Sequence, residues 1–134
     1  MTDQSAENLQ IVKAFNDAFM EGRIDDAKAM LAEDVTMAEP ESLPYGGTYR
    51  GPDGFLELGG KVLDTWDFPG PLEMSFHAID NGQVLSRTEF DGISKATGKR
   101  FAGPYLEFYS FEDAKIKRIE VFVDTAAIAA MVAE

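Results

Sequence analysis

The apolar positions change their period part-way along the chain. From Glu7 to Glu21 they recur at helical spacing, with Ile11, Phe15, Ala18 and Phe19 on one side, which predicts an amphipathic helix. Gly22 breaks it, and Ile24, Ala27, Met30 and Leu31 outline a second, shorter helix. In "DVTMAE" the period falls to two. Val35 and Met37 alternate like the buried face of a strand, and the next residue on that face is Glu39, followed at once by Pro40. The glycines and prolines of "ESLPYGGTYRGP" predict a loop. Pro52 then opens a third helix, in which Phe55, Leu58, Val62, Leu63 and Trp66 supply apolar contacts. Gly59 and Gly60 weaken that helix or admit a close neighbour.

The second half reads as four strands, Leu72 to Asp80, Gln83 to Ser94, Arg100 to Phe111 and Lys115 to Val123. Asn81-Gly82 signals a two-residue hairpin turn, and "KATGK" and "EDA" mark the other two turns. The end, "DTAAIAAMVAE", predicts a short helix with Asp124 as its N-cap. Helices followed by an antiparallel meander make an α+β chain, and 134 residues without a repeat or linker make one domain over 1–134.

Strand faces sharpen this. Between Gln83 and Ser94 one face holds Leu85, Arg87, Glu89 and Asp91, the other Val84, Ser86, Thr88 and Phe90. The next strand divides into Tyr105, Glu107, Tyr109 and Phe111 against Leu106, Phe108 and Ser110, so both of its faces are largely apolar. A sheet covered by helices on one side shows water a polar reverse. An apolar reverse, with Phe90, Leu106, Phe108 and Phe122, predicts a homodimer through the outer sheet face.

Charge excludes some partners. Twenty-four acids against 12 bases give a net charge of -12, which repels phosphate backbones and anionic membranes, so neither nucleic acid nor membrane is an expected partner. With no cysteine and one histidine, a thiolate nucleophile and a zinc site are not expected. "YGG" lacks the spacing and lysine of a phosphate loop. The polar, acidic start resembles no secretory signal, and a cytoplasmic protein is the default expectation.

The element order, with "LAEDVTMAEP", "PYLEFYSF" and "KIKRIEVFVDTAA", resembles the nuclear transport factor 2-like superfamily, in its SnoaL-like and ketosteroid isomerase-like branches. The resemblance implies a cone-shaped, cystatin-like fold, with N-terminal helices on a curved, mostly antiparallel sheet enclosing a pocket. It places the isomerase's general base, a carboxylate before a proline, on Glu39. The oxyanion-stabilising acid, four residues before a phenylalanine, falls on Glu107. The isomerase's first-helix tyrosine falls on Phe15, which has no hydroxyl. Arg87-Thr88-Glu89 resembles the Arg-x-Asp pair of limonene-epoxide hydrolases, whose further aspartate falls near Val121. His77 alternates with Met74 and Phe76, which take the inward face.

If the resemblance fixes the faces, the catalytic candidates are Glu39 and Glu107, and Arg87 and Glu89 join them in one pocket. Its walls are Phe15, Phe55, Leu58, Tyr105, Tyr109, Ile119 and Val121, with Tyr45 and Tyr49 from the glycine-rich loop as a gate. Arg87 pairing with Glu89 leaves Glu39 or Glu107 with a raised pKa. Such a pocket suits a small apolar ligand with one or two polar groups. Plainer readings stand beside each assignment. Glu39 ends a strand in water, Arg87 and Glu89 form a structural ion pair, His77 is a surface residue and the loop tyrosines only pack. Three functions follow: an acid–base enzyme without a cofactor (isomerase, cyclase or hydrolase) acting on a carbonyl compound, a non-catalytic binder of hydrophobic ligands, or an interaction module.

Overall fold

A computed structural model describes residues 3–133. Met1, Thr2 and Glu134, the last residue of the expected C-terminal helix, lie outside the described residues. Helix α1 runs from Asp3 to Met20, four residues earlier than the apolar pattern predicts, because the buried stripe of Val12, Phe15 and Ala18 continues back through the small polar residues Asn8 and Ser5. Gly22, at φ +77°, ends it: Arg23 N–H reaches the Ala18 carbonyl and Gly22 N–H the Phe19 carbonyl, the pair of bonds that closes a helix on a left-handed residue. Helix α2 covers Ile24–Ala29, and Leu31, expected at its end, already begins β1 (Leu31–Glu39).

Strand β2 (Gly47–Arg50) lies inside the segment expected to be loop. It pairs antiparallel with β1, Thr36 opposite Arg50 and Glu39 opposite Gly47, and this edge pairing overrides the local glycine content. Helix α3 (Gly51–Thr65) follows with Pro52 in its first turn, where a missing N–H is harmless. Trp66, expected to close that helix, instead starts the two-residue β3 (Trp66–Asp67), 1 % exposed.

Strands β4 (Glu73–Ala78), β5 (Val84–Ser94), β6 (Arg100–Glu112) and β7 (Lys115–Val123) form the meander, and α4 (Thr125–Val132) ends the described chain. The Asp124 side chain caps α4 by accepting the Ala127 N–H at 3.0 Å. The Asn81-Gly82 turn has three residues, not two. Ile79 N–H donates to the Gln83 carbonyl, and Asp80 joins Asn81 (φ 66°) and Gly82 (φ 74°) in the loop. Between β6 and β7, Asp113 and Ala114 both take positive φ in a tight two-residue turn that matches the strand twist.

The seven strands form one curled sheet in the order β2-β1-β7-β6-β5-β3, with β4 also on β5. Only β1 and β7 run parallel. Strands β3 and β4 share the far edge of β5 in succession, β3 at Ile93 and Ser94 and β4 from Val84 to Glu89. Helices α1 and α3 cover the concave face, meeting through Phe55, whose ring lies 5.2 Å from those of both Phe15 and Phe19. Gly59 lets them meet: a Cβ there would come within 3.3 Å of the Phe19 ring tip. Asn8 ties α1 to the β4–β5 turn through the Gly82 carbonyl at 2.8 Å.

Candidate functional site

The alternation on β1 does what its sequence demands. Val35, Met37 and Glu39 all point inward, and Glu39 is 4 % exposed. Its Oε1 accepts the Tyr105 hydroxyl at 2.6 Å, while its Oε2 is buried with no hydrogen-bond partner. Ala38 pairs with Glu120, which sets Glu39 beside Val121, and Val121 pairs with Glu107, which in turn faces Ser86. The two acids therefore occupy one row across the sheet with Val121 as the spacer, about 10 Å apart at Cα. Glu107 Oε1 accepts two hydroxyls, Tyr109 at 3.1 Å and Ser86 at 3.2 Å, and Asn16 of α1 donates to the Tyr109 oxygen at 3.3 Å.

Glu39 and Glu107 stand on one wall of a cavity of about 300 Å³. Phe15, Phe19, Phe55 and Leu58 from the helices and Met37, Phe90 and Met74 from the sheet make the rest largely apolar. Met20, Leu63, Gly70 and Pro71 line it and are exposed, so they form its rim. Beneath it, Phe90 sits in an aromatic cluster, edge-on to Trp66 at 5.3 Å and stacked on Tyr105 at 5.7 Å.

Burial governs the protonation of these groups. It pushes the Glu39 carboxyl up to about 8, against the Tyr105 hydrogen bond, with the nearby Glu107 charge adding to the rise. Glu107 is also raised by burial, opposed by the hydroxyls of Tyr109 and Ser86. Tyr105 and Tyr109 are pushed well up, first by burial and then by the neighbouring carboxylates, so both remain phenols and donors at neutral pH. Glu39 is therefore held toward its neutral form at neutral pH.

Several candidates lie elsewhere. Arg87 and Glu89 project from the opposite face of β5, where they make a half-exposed ion pair at 2.7 Å. The expected face of β5 is inverted because Ser86 and Thr88, not Arg87 and Glu89, stand opposite Glu107 and Tyr105. Phe90 moves with them: expected on the outer face, it is 5 % exposed beneath the cavity. Tyr45 is buried, but its hydroxyl accepts the Trp66 indole N–H at 3.1 Å and stays outside the cavity wall. Its loop is drawn inward by the contact of Tyr49 OH with the Tyr45 carbonyl at 2.9 Å, so neither tyrosine gates the mouth. Val121 and Ile119 are buried within the sheet row rather than lining the cavity. His77 is exposed, with Ser75 as its neighbour at 3.1 Å. Phe15, Phe55, Leu58, Tyr105, Tyr109, Glu39 and Glu107 are brought together. Asn16, Thr88 and Met74 line the cavity without having been singled out as its residues. For Asn16 the available signal is a polar residue flanking the apolar stripe of α1, one position after Phe15.

Among the described residues no group of three or more His, Asp or Glu side chains is placed to hold a metal ion. No helix of the described residues is long and apolar enough to cross a membrane.

The sequence matches the SnoaL-like domain over residues 12–119, most of the chain. It belongs to the SnoaL-like domain family. The curled sheet under its helices is the NTF2-like cone, and solved structures share it. An NTF2-like protein from Burkholderia xenovorans is 29 % identical to this SnoaL-like chain, with TM-score 0.81 over 96 % of this chain and 97 % of the other. A candidate polyketide cyclase from Xanthomonas campestris has the same fold at 22 % identity, with TM-score 0.77 over 98 % and 100 % of the two chains. TerC, co-crystallised with polyporic acid, matches at 21 % identity with TM-score 0.74, over 93 % and 97 %. Among curated proteins no match was found.

Proposed function

We propose that this SnoaL-like domain binds a small, largely apolar carbonyl compound in the cavity and carries out cofactor-independent acid–base chemistry on it, of the isomerase, cyclase or hydrolase type. The observation that carries the reading is the second oxygen of Glu39, which is buried and without a protein partner. A carboxylate oxygen left in that state is destabilised by about 1–3 kcal/mol or more, and a ligand atom relieves it. Co-crystallisation of TerC with polyporic acid, and the naming of a fold relative as a candidate cyclase, support a small-molecule site in this fold.

In this scheme the ionised fraction of Glu39 removes a proton from the carbon next to the carbonyl. The C–H electron pair becomes the enol double bond, and the negative charge developing on oxygen is met by a protonated Glu107. Tyr109 and Ser86 both donate to Glu107 Oε1, so a proton on that acid resides on Oε2 and is available as a donor. Incubation of 1-tetralone with the protein in D2O, followed by NMR, tests the step. Exchange at the carbon next to the carbonyl rises over buffer, and Glu39→Gln lowers it about 100-fold. Equal exchange by wild type and Glu39→Gln sinks the acid–base reading.

A second reading, binding without turnover, is favoured by the saturated hydrogen bonds of Glu107 Oε1. It expects ligand stabilisation that Glu39→Gln leaves unchanged. On the convex face, Leu85, Leu106, Phe108 and Phe122 form an apolar surface, with Phe122 52 % exposed and edge-on to Phe108 at 5.5 Å. This face pairs with a second copy of the chain in the proposed assembly.

A further inference from the structure

Asn16 stands on the helical wall of the cavity, one residue after Phe15. Its Nδ2 donates to the Val12 carbonyl at 2.9 Å and to the Tyr109 hydroxyl at 3.3 Å. A carbonyl only accepts, so the amide atom facing Val12 is the nitrogen; the flipped amide would set two acceptor oxygens against each other. Both hydrogens of Nδ2 are then engaged. Tyr109 receives one of them and passes its own hydrogen to Glu107 Oε1 at 3.1 Å, where Ser86 also donates at 3.2 Å. Donation runs one way, from Asn16 through Tyr109 to Glu107. The atom left over is Asn16 Oδ1, an acceptor with no protein partner and not sealed from solvent or ligand.

Among the described residues lining the cavity there is no lysine, arginine or histidine. An anionic ligand would be desolvated in a largely apolar cavity with no countercharge, so the complementary ligand is neutral. The rings of Phe15, Phe55 and Phe90 favour a flat one.

We propose that Asn16 is a ligand-binding residue of this cavity, its Oδ1 accepting a hydrogen bond from a hydroxyl of a neutral, flat hydroxy-ketone. The inference rests on the acid–base reading only in placing the ketone oxygen at the Glu39–Glu107 row.

Calorimetric titration of the full chain with 1-tetralone, 6-hydroxy-1-tetralone and 6-methoxy-1-tetralone tests it. Wild type binds the hydroxy compound about fivefold tighter than the other two. Asn16→Leu brings all three within about twofold. Equal binding of the three by wild type, or a hydroxyl preference that survives in Asn16→Leu, overturns the inference. Should Asn16→Leu fail to fold, wild type decides alone: nuclear Overhauser contacts from the ring protons beside the hydroxyl to the Asn16 amide support the proposal, and bound ligand without them overturns it. A hydroxyl preference dependent on Asn16, with no deuterium exchange next to the ketone, supports the assignment and removes the acid–base chemistry instead. No binding of any of the three ketones overturns both.

Discussion

On the convex face of the sheet Arg87 and Glu89 meet at 2.7 Å, and on the concave face Tyr105 and Glu39 meet at 2.6 Å. The two contacts are alike in length and opposite in consequence. Glu89 is half-exposed, so water shares its charge and the pair is worth little. Glu39 is sealed under the helices with one phenol for company, and its second oxygen has nothing. Desolvation there raises the acid to about 8 and stores a protonation change in the folded state. The proposed chemistry is therefore assigned to the face where an acid is under-satisfied, not to the face with the better-matched charges.

The sharpest way to break this contrast is to exchange the fates of two phenylalanines. Phe90→Ala, beneath the cavity, lowers stability by about 3–5 kcal/mol, read by urea unfolding. Phe122→Ala, on the convex face, leaves the fold intact and shifts sedimentation toward a smaller species. Equal destabilisation by both would mean that the faces of β5 and β7 are misassigned.

Glu39 comes next. Its folded-state pKa lies above the unfolded value of about 4.3, so the stability linked to its protonation is complete below that pH and is lost as pH rises to about 8. Glu39→Gln mimics the protonated acid and lacks this loss. The variant matches wild type near pH 4 and is more stable by about 4–5 kcal/mol at pH 8. Parallel stability curves for the two proteins would place Glu39 in water.

A smaller effect comes from Tyr105→Phe. Removing the one donor to Glu39 destabilises the protein by about 1.5–3 kcal/mol above pH 8, where the lost bond is to a charged oxygen, and moves the Glu39 titration upward, followed by carbon-13 NMR. The smallest effect belongs to the convex pair: a double-mutant cycle on Arg87→Ala and Glu89→Ala returns under about 1 kcal/mol and fades with salt.

Local pattern carried far in this chain. The parity of Val35, Met37 and Glu39 placed an acid inside because alternation within one strand needs no partner. The helix stop at Gly22, the cap at Asp124 and the four long strands of the meander are similarly local. Strand β5 defeated the same reasoning. Both of its faces carry apolar residues, Leu85 on one and Val84 and Phe90 on the other, so alternation alone has two solutions. The register with β6 chose between them by setting Ser86 against Glu107 and Thr88 against Tyr105. Strand β2 escaped notice because its stability comes from the free edge of β1 rather than from its own glycine-rich residues.

What the sequence determined by itself is therefore the class of fold, the order of its elements and the inward aim of Glu39, all consequences of periodicity along a single segment. Only the tertiary structure decided which side chains bond the two acids and which face of β5 joins them. Tyr105 reaches Glu39 across 66 residues and Ser86 reaches Glu107 across 21, Asn16 joins through the Tyr109 hydroxyl across 93, and Arg87 leaves for the other face. The reason is physical: a strand's own dihedrals fix which residues alternate, but the hydrogen-bond ladder to its neighbours fixes which of the two sides becomes the inside.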